Sequence, residues 1–388
     1  MTKLAIVATH PIQYHIPWFR ALAGQPGFDI KVYYACQPDD QRQGVGFDHP
    51  FSWDVPMYEG YKWELLNNAK SNPGVDGFFA SSVSNMTDVL RRDRPDVLIL
   101  TGWQGLPLLQ ALWSCMRLNI PRLVRGESSA MKPRKQTVRF MHRSLLSRYD
   151  AFLVIGESNY RFYAGYGIPD SKLFSCPYFV ENQRLIEQAR SHRKERNAMR
   201  ARWNIPEDSI CYLYVGKLTR KKRILDQLTA MREAVLQNPK LHLLVVGTGE
   251  LMDAARQFVA EHNLPVTFAG FMNQTEITGA YAAADCLVLS SDYDETWGLV
   301  VNEAMVCGLP AIVSDRVGCG PDLIKRGETG ERFEFGAVGD LSHVLLSMAK
   351  DPERLQAMGE RAREHVLRNY TVENAVSGTM QAVEAVLR

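Results

Sequence analysis

The sequence lacks any long apolar run, and this lack limits where the protein can reside. No stretch approaches the roughly 18 consecutive apolar residues of a membrane-spanning helix. The N-terminus leads directly into a strand-like segment, residues 4–8, without the charged and apolar regions of a secretion signal. The seven cysteines are scattered and form no C-x-x-C pair, which predicts buried, reduced thiols in a reducing compartment. We therefore expect a soluble or peripheral protein in the cytoplasm.

A strong excess of charge of either sign is also absent. The 388 residues contain 45 lysines and arginines against 43 aspartates and glutamates, and the formal net charge is +2. Proteins that bind nucleic acid through their overall charge usually carry a large positive charge, so a nucleic acid is not an expected partner. Apolar residues make up 46% of the chain, an ordinary globular value, and the length suffices for two domains with separate cores.

Short apolar strands alternate with helical patterns along the whole chain, which is typical of parallel sheets covered by helices. We predict an α/β fold with one such sheet in each half. The predicted strands lie at residues 3–8, 29–35, 96–101, 121–125 and 151–155 in the first half, and at 210–216, 242–247, 265–270, 286–290, 310–314 and 331–335 in the second. Residues 37–75 interrupt the pattern. So long a loop usually binds something, although a passive insertion fits equally well.

The sequence changes character at residues 176–182, where a strand ends and a charged helical run begins that continues to residue 203. We place a domain boundary there, which predicts a first domain of residues 1–180 and a second of residues 181–370. Ligands of parallel sheets bind at the carboxyl ends of the strands, so the residues that follow each strand are candidates for function. The chain ends in two predicted helices, residues 352–367 and 372–387.

Residues 290–305, with the sequence SSDYDETWGLVVNEAM, begin as an acidic loop after an apolar strand and continue as a helix. Glu295 lies in the loop, and Glu303 lies one to two turns into the helix at about 3.6 residues per turn. Between them lie backbone N–H groups at a helix start, where the helix dipole favours an anion. The arrangement suits a ligand with a diphosphate at one end and hydroxyl groups at the other, such as a nucleotide-sugar.

Two loops that follow neighbouring predicted strands offer groups to the same ligand. The segment GKLTRKKR, residues 216–223, contains five positive side chains, of which Lys217 and Lys222 provide point charges for phosphates. Glycine at a strand end allows close backbone approach, as at Gly216 and in the segment GTG, residues 247–249. Phe271 follows a third strand and lines either a pocket for a base or the core.

Together these segments resemble the family-4 retaining glycosyltransferases of GT-B fold, through Gly216-Lys217-Leu218 with Lys222, through Gly247-Thr248-Gly249, and through the run from Glu295 to Pro310. The resemblance is strong over about 205–335 and weak in the first half. It implies two Rossmann-like domains that face each other across a cleft, with residues 371–388 crossing back to the first domain. It also implies transfer of a hexosyl or other glycosyl group from a nucleoside-diphosphate-sugar to a glycan, a lipid-linked glycan or a small molecule. Retention of configuration, and no metal or other cofactor, are implied as well.

The resemblance implies roles for the matching positions. Lys217 and Lys222 neutralise the diphosphate, although Lys217 stands where the family usually has arginine and therefore lacks a bidentate fork. Glu303 holds the ribose, and Glu295 faces the transferred sugar as a catalytic carboxylate. Asp292 and Asp294 form Asp-x-Asp, but the family does not use this position for metal. The expected donor-binding residues are Gly216, Lys217, Lys222, Gly247, Gly249, Phe271, Glu295, Thr296, Trp297, Gly298, Leu299, Val300 and Glu303.

The first half departs from the family pattern. Many members have a glycine-rich turn after the first strand, whereas this chain has the segment THPIQYH, residues 9–15. Many also place a histidine after a later strand, whereas this chain has RGESS, residues 125–129. We expect His10 and Glu127 near the reacting sugar, although helix capping fits them equally well. The expected acceptor-binding residues, of which Trp103 either stacks on the acceptor or packs in the core, are Gln13, Tyr14, Trp103 and Arg125.

Residues 132–148 contain six lysines and arginines and no acidic residue. At helical spacing, Val138, Met141 and Leu145 form an apolar stripe beside basic side chains. A basic amphipathic helix of this kind docks on anionic lipid headgroups. A surface helix that packs its apolar side on a sheet has the same pattern, so membrane contact is one of two expectations.

Two other functions stay open at this point. One is a different GT-B enzyme, such as a nucleotide-sugar epimerase or a phosphorylase, although no pyridoxal-type lysine context is present. The other is a non-catalytic nucleotide-sugar-binding subunit. A subunit that only binds could lose Glu295 and still hold the nucleotide, so the presence of Glu295, Glu303 and Lys222 favours a transferase of glycan or polysaccharide biosynthesis.

Overall fold

The computed structural model describes residues 1–47, 50–75 and 77–388, and its internal contacts divide the chain into two compact units. The sequence placed the boundaries after residue 180 and before residue 371. The long predicted insertion, residues 37–75, includes Asp48 and His49, which lie outside the described residues. The first unit comprises Met1–Gln43, Phe51–Tyr178 and Val372–Arg388, and the second comprises Gly44–Pro50 and Phe179–Thr371.

The first unit contains a seven-stranded sheet whose strands pair in parallel, in the order β3-β2-β1-β4-β5-β6-β7. The strands are β1 (Thr2–Ala8), β2 (Phe28–Tyr34), β3 (Lys62–Leu65), β4 (Val97–Leu100), β5 (Arg122–Val124), β6 (Ala151–Val154) and β7 (Leu173–Ser175). The helices are α1 (Ile16–Ala23), α2 (Asp40–Gln43), α3 (Met86–Asp93), α4 (Leu106–Leu118), α5 (Gln136–Leu146), α6 (Glu157–Ala164) and, at the end of the chain, α16 (Val372–Leu387).

One strand of this sheet, β3, is absent from the sequence-based prediction, whereas the other edge strand, β7, lies directly before residue 176, where the sequence predicts that a strand ends. Both are short strands at the edges of the sheet, and edge strands are often polar because one side of each meets solvent. In β3, Lys62 is paired with Asp29, and Glu64 is paired with Lys31 on the neighbouring strand. Charged pairs of this kind replace the apolar alternation by which a strand is recognised in a sequence.

The final helix, α16, packs directly on β7 in the first unit. A side chain at Gly378 would place its Cβ 1.6 Å from the Ser175 carbonyl oxygen, so only glycine allows the two backbones to approach this closely. The hydroxyl of Thr379 accepts a hydrogen bond of 3.2 Å from the Trp18 indole nitrogen of α1. Residues 372–388 therefore belong to the first unit although they follow the second in the chain.

The second unit contains a six-stranded sheet, also paired in parallel, in the order β10-β9-β8-β11-β12-β13. The strands are β8 (Ile210–Val215), β9 (Leu241–Val246), β10 (Val266–Gly270), β11 (Cys286–Leu289), β12 (Ala311–Ser314) and β13 (Gly330–Phe333). The helices are α7 (Asn182–Lys194), α8 (Arg196–Arg202), α9 (Ile224–Val235), α10 (Met252–His262), α11 (Ile277–Ala283), α12 (Leu299–Val306), α13 (Gly320–Leu323), α14 (Val338–Ala349) and α15 (Pro352–Asn369).

The charged helical run predicted after the domain boundary is two helices, α7 and α8, with a break at Glu195. The break lets α8 turn its buried Arg200 towards the start of β11, where the guanidinium donates a hydrogen bond of 2.7 Å to Asp285. The same carboxylate accepts a bond of 2.8 Å from the backbone N–H of Cys211 in β8. This pair, of which Arg200 is buried and Asp285 partly buried, fixes the amino ends of two central strands.

Two further features of the described residues bear on the sequence-based expectations. Within residues 1–47, 50–75 and 77–388, no helix combines the length and the apolar character that a bilayer crossing requires. The seven cysteines are buried free thiols. Burial raises the pKa of several of them, for example that of Cys211 to about 12, so these thiols are uncharged at neutral pH.

Candidate active site

Three glycine-containing loops come together at the carboxyl ends of β8, β9 and β10 in the second unit. The backbone N–H of Gly247 donates to the Gly270 carbonyl at 2.8 Å, and that of Gly216 donates to Val246 at 3.0 Å. A Cβ at Gly247 would lie 2.0 Å from the Gly216 carbonyl oxygen, and Gly247 has a φ of +126°. A side chain at Gly247 would therefore have no room, and the backbones of Gly216 and Gly247 are in direct contact.

Gly249 has a similar role one turn further on. Its φ is +148°, and a Cβ there would lie 2.9 Å from the backbone nitrogen of Leu218. The Leu218 N–H in turn donates to the Thr248 carbonyl at 2.8 Å. The two loops, 216–218 and 247–251, are therefore packed on each other through their backbones. Lys217 lies on the first of them.

Lys222 and Glu295 are in direct contact, with the Lys222 ammonium donating to the Glu295 carboxylate. Both side chains are largely buried, at 12% and 15% exposed. Burial raises the pKa of Glu295, but the positive charges of Lys222 and Lys221 outweigh this effect, and the net pKa is lowered. The carboxylate is therefore ionised at neutral pH and lies beside the cation predicted to bind phosphate.

A chain of buried hydrogen bonds positions the Lys222 backbone. Gln227 of α9 donates to the Ser290 hydroxyl at 2.9 Å. The single hydrogen of that hydroxyl is shared between the carbonyls of Lys222 and Arg223, which lie 3.0 and 3.2 Å from the hydroxyl oxygen. Arg223 has a φ of +56°, the left-handed conformation that turns the chain from the basic loop into α9. The start of the acidic loop thus holds the basic loop in place.

The loop before α12 is fixed by backbone contacts and by one buried side-chain pair. The N–H of Gly318 donates to the Glu295 carbonyl at 3.0 Å, and a Cβ at Gly318 would lie 1.8 Å from the Thr296 carbonyl oxygen. The indole nitrogen of Trp297 donates to Asn302 at 2.8 Å, and both side chains are buried. Trp297 is therefore a support of the loop, while Thr296, Leu299 and Val300 are partly exposed beside it.

Helix α12 begins after Gly298, whose φ of +103° reverses the chain direction. The first N–H groups of a helix have no carbonyl partner within the helix. Those of Leu299 and Val300 lie at this start, as the sequence predicts. The helix dipole and these amides make the start of α12 a position where an anion is stabilised.

Glu303 is buried in α12, and the Tyr281 hydroxyl of α11 donates to its Oε2 at 2.7 Å. The sequence-based analysis did not find Tyr281. Helix α11 consists of buried, mostly small residues, Ile277–Ala283, and its one tyrosine hydroxyl needs a polar partner once it is buried. That mismatch between a polar hydroxyl and an apolar helix is the signal that could have identified it.

The Asp-x-Asp sequence in the acidic loop has a local structural role. The Asp292 carboxylate accepts a hydrogen bond of 2.8 Å from the backbone N–H of Asp294, which closes a short turn. The backbone N–H of Asp292 donates to the Lys221 carbonyl at 3.0 Å, so the turn also joins the acidic loop to the basic one. The pair therefore shapes the loop that carries Glu295.

The predicted catalytic residues of the first half lie at carboxyl ends of strands in the first unit. His10 follows β1, and its Nδ1 lies 3.0 Å from the hydroxyl of Thr9. Glu127 follows β5 and accepts a hydrogen bond from the hydroxyl of Tyr178. Both side chains are partly exposed, so their placement is compatible with the predicted roles, which stay predictions.

Arg125 and Trp103, two of the predicted acceptor residues, are enclosed within the first unit. Arg125 is 1% exposed and lies over the rings of Tyr178, at 4.3 Å, and Trp18, at 5.5 Å. Trp103 is 7% exposed and packs in the core against Phe162. The packing of Trp103 matches the alternative in which it serves the core, and the acceptor roles of both residues stay predictions.

The remaining predicted acceptor residues, Gln13 and Tyr14, are partly exposed in the turn that precedes α1. The next residue, His15, is buried and places its Nε2 3.4 Å from Arg125. Burial, with the charge of Arg125 and His10 nearby, lowers the pKa of His15 to about 3. His15 is therefore neutral at physiological pH and supports the turn that carries the candidates.

The basic segment of the first unit forms α5, and its apolar residues divide between two environments. Leu146 is buried and Leu145 packs against the core, as the packing alternative predicts. Met141 and Phe140 are 67% and 76% exposed, however, and Val138 is exposed as well. The stripe predicted from Val138, Met141 and Leu145 is thus only partly used for packing.

Comparisons with known proteins agree with this geometry. Residues 195–365 match the family model described as Glycosyl transferases group 1. N-acetyl-alpha-D-glucosaminyl L-malate synthase of Bacillus anthracis is 30% identical over 195 residues, which cover 50% of this chain and 50% of the relative. Sulfoquinovosyl transferase SQD2 of Arabidopsis thaliana is 26% identical over 71% of this chain and 52% of the relative. The chain thus spans about half the length of the curated relatives it matches.

Solved structures extend the similarity to the whole chain. A glycosyltransferase from Rickettsia africae ESF-5 has a TM-score of 0.75 at 13% identity, covering 100% of this chain and 99% of that one. HepE of Anabaena in complex with UDP and glucose has a TM-score of 0.73 at 13% identity, covering 99% and 100%. Identities this low show the fold alone, and they confirm the predicted α/β architecture as GT-B. Residues 195–365, which include Glu295 and Glu303, thus match the group 1 glycosyltransferase model, and the whole chain has the GT-B fold.

Proposed function

We propose that the protein is a glycosyltransferase that moves a sugar from a nucleoside-diphosphate-sugar to an acceptor, with retention of anomeric configuration. The observation that carries the proposal is a contact between two loops, in which Lys222 of the basic loop meets Glu295 of the loop that leads into α12. In this contact an ionised carboxylate, in the loop that ends at the start of α12, meets the cation that we propose binds phosphate. The match of residues 195–365 to the glycosyltransferase family model supports the same assignment.

The chemistry follows from where charge develops. When the bond between the sugar and the diphosphate breaks, negative charge builds up on the leaving diphosphate. Lys222, Lys217 and the N–H groups of Leu299 and Val300 would stabilise that charge as it forms. Because the chain itself supplies this compensation, we propose that transfer needs no divalent metal ion, and activity measured in excess EDTA tests that point.

The two glutamates have different roles in this proposal. Glu303, held by Tyr281, accepts hydrogen bonds from the ribose hydroxyls. Glu295 lies in the loop before α12, contacts hydroxyls of the transferred sugar and stabilises positive charge at its anomeric carbon. Attack on the same face as the departing diphosphate would retain the configuration. The acceptor would be a glycan, a lipid-linked glycan or a small molecule.

Thermal-shift measurements with UDP, GDP, dTDP, ADP and their sugar conjugates test the donor site. We expect at least one nucleoside diphosphate to raise the melting temperature, because ligand binding to the native state stabilises it by mass action. The UDP present in the Anabaena HepE structure makes UDP the first probe. An unchanged melting temperature with every nucleotide and every sugar conjugate would contradict the proposal.

Removal of the Tyr281 hydroxyl is expected to weaken nucleotide binding without abolishing it. In Tyr281→Phe the Glu303 carboxylate loses the hydrogen bond that fixes its orientation, so we expect about 3- to 10-fold weaker binding of the ribonucleotide, the equivalent of one ordinary hydrogen bond. The ability to discriminate UDP from 2′-deoxy-UDP should fall as well. Isothermal titration calorimetry with both nucleotides measures the two effects.

Tyr212→Phe is the matched control for this variant. Its hydroxyl is equally buried in the second unit and donates to the Leu345 carbonyl at 2.5 Å, away from Glu303. Both variants lose one buried hydroxyl, so a general loss of stability would affect both. If Tyr281→Phe discriminates the deoxynucleotide as strongly as the wild type, Tyr281 does not position Glu303 for the ribose.

We also propose that α5 docks on anionic lipid, which would bring the first unit to a membrane surface that carries a lipid-linked acceptor. Phe140 and Met141 are largely exposed on this helix. Lys135 and Arg143 are exposed beside them, and residues 132–148 contain no acidic side chain. Exposed apolar side chains flanked by cations have the chemistry of a peripheral helix that binds negatively charged headgroups. A cytoplasmic location is part of this proposal.

Charge reversal on α5 tests the membrane contact. We expect Lys135→Glu with Arg143→Glu to reduce co-sedimentation with phosphatidylglycerol vesicles at least about tenfold, since each cation near the surface contributes about 1 kcal/mol. The same number of reversed charges at Arg117 and Lys172, exposed positions of the first unit outside α5, is the control. Equal vesicle binding by the wild type and the α5 variant would contradict lipid docking and leave a protein partner as the occupant of this face.

A further inference from the structure

A short segment of the predicted insertion belongs to the second unit. Gly44–Pro50 groups with the second unit, whereas Gln43 before it and Phe51 after it belong to the first. We refer to residues 44–47 as the strap. The strap forms a turn in which the Phe47 N–H donates to the Gly44 carbonyl at 2.8 Å.

The strap contacts three of the loops that form the proposed donor site. The Lys217 ammonium donates to the Val45 carbonyl and lies 4.5 Å from the centre of the Phe47 ring. The Thr248 hydroxyl donates to the Phe47 carbonyl. The Phe47 ring packs edge-on against Phe271, with ring centres 5.0 Å apart. One turn of four residues therefore engages the loops that follow β8, β9 and β10.

In each of these contacts, the group from the strap resembles one part of a nucleotide in its chemistry. A carbonyl oxygen on the Lys217 ammonium stands where a phosphate oxygen would bind. The Phe47 carbonyl accepts a hydrogen bond from Thr248, in the glycine turn where close backbone approach suits a ribose or a base. An aromatic ring covers Phe271, at the position predicted to line the base pocket. The strap thus satisfies the same protein groups that the donor would satisfy.

We propose that the strap occupies the donor site in the nucleotide-free protein and that the nucleoside diphosphate displaces it. The proposal rests on the proposed function, because it takes Lys217, Thr248 and Phe271 to be donor-binding residues. It assigns Phe47 and the carbonyls of Val45 and Phe47 as an internal competitor of the donor.

The spacing of the two rings supports displacement over joint binding. A base that stacked between Phe47 and Phe271 would need about 3.5 Å on each of its faces, or roughly 7 Å between the rings. The ring centres are 5.0 Å apart. The side of Phe271 that contacts Phe47 is therefore closed to a base until Phe47 leaves.

The need to displace the strap weakens the apparent affinity of the protein for the donor. When a site is open in only a fraction of the molecules, the apparent dissociation constant is the intrinsic constant divided by that fraction. Weakening the strap therefore increases the open fraction and tightens nucleotide binding. A strap that served instead as a wall of the occupied site would have the opposite effect, because its loss would remove contacts from the bound nucleotide.

The sign of the affinity change in Phe47→Ala tests the proposal. We expect Phe47→Ala to bind UDP at least about fivefold more tightly than the wild type in isothermal titration calorimetry, through a larger open fraction. Val45→Ala is the matched control, because the contact of Val45 with Lys217 uses its backbone carbonyl and its side chain is half exposed. It should bind UDP like the wild type. Unchanged or weaker binding by Phe47→Ala would overturn the proposal.

Hydrogen exchange on the wild-type protein gives a second test that does not depend on a variant. Saturating UDP should increase amide exchange in residues 44–47, because the displaced turn loses its contacts with Lys217, Thr248 and Phe271. Slower exchange would overturn the proposal while leaving the donor site intact. If neither the wild type nor Phe47→Ala binds any of the four nucleoside diphosphates, the proposed function itself fails.

Discussion

Replacement of Glu295 by alanine is expected to lower the rate of sugar transfer about a hundred- to a thousandfold, the effect of losing one preorganised electrostatic group at a reacting centre. Glu295 is the ionised carboxylate in the loop before α12, and it contacts Lys222. Without it, positive charge that develops at the anomeric carbon has no compensating carboxylate. The rate is measured as nucleoside diphosphate released per enzyme in the presence of acceptor.

Nucleotide binding by the same variant should be retained. In the wild type, the Glu295 carboxylate offsets the positive charge of Lys222. Removal of that carboxylate leaves the full charge of Lys222 available to the diphosphate. We therefore expect UDP to bind Glu295→Ala as tightly as the wild type or more tightly in a calorimetric titration. Asp294→Ala is the matched control, because Asp294 is the preceding carboxylate of the same loop and is exposed. Transfer by Glu295→Ala at near the wild-type rate would show that this carboxylate is not catalytic.

A methyl group at Gly247 is expected to disrupt the donor loops. The Cβ of Gly247→Ala would lie 2.0 Å from the Gly216 carbonyl oxygen, and the φ of +126° is unfavourable for any residue with a side chain. We expect a loss of about 2–4 kcal/mol of stability, in the range caused by overpacking and backbone strain together. We also expect at least about tenfold weaker binding of UDP, because the loops that carry Lys217 and Thr248 must separate; tenfold is 1.4 kcal/mol.

Gly270→Ala is the control that separates conformational strain from steric clash. Gly270 also lies at a strand end with a positive φ, of +77°, but no atom lies within 4 Å of an added Cβ. That substitution should cost about 1 kcal/mol, the usual cost of the left-handed conformation for a residue with a side chain. Differential scanning calorimetry of both variants measures the difference. Equal melting temperatures for the two variants would contradict the close packing of Gly216 and Gly247.

The parts of the fold that the sequence predicts well are those with strong local patterns. Five of the six strands of the second unit are apolar runs that end at or just before a glycine or a serine, and all six lie within about two residues of their predicted positions. The predicted helix 372–387 is α16. The exception is β3, an edge strand of four mostly exposed residues that include two charged side chains. Local pattern therefore identifies buried elements better than exposed ones.

The candidate site likewise contains residues that the sequence predicts and residues that it does not. Glu295, Gly298 and Glu303 are close in sequence, so their arrangement around a helix start follows from helical spacing alone. Tyr281, in contrast, reaches Glu303 from another helix, and no spacing rule connects the two. The contact of Val45 with Lys217 joins residues 172 positions apart. Such contacts depend on how strands are ordered in the sheet and on where an insertion folds back, which a single sequence does not specify.

The most direct test of the account is the binding of UDP, and in parallel GDP, dTDP and ADP, to the wild type and to Glu303→Ala by isothermal titration calorimetry. The account predicts that the wild type binds one equivalent of at least one of these nucleotides. It predicts at least about tenfold weaker binding by Glu303→Ala, because a hydrogen bond to a charged group contributes about 1.5–3 kcal/mol. Equal binding by the two proteins would place the nucleotide elsewhere, and no binding by the wild type would contradict a donor site in the second unit.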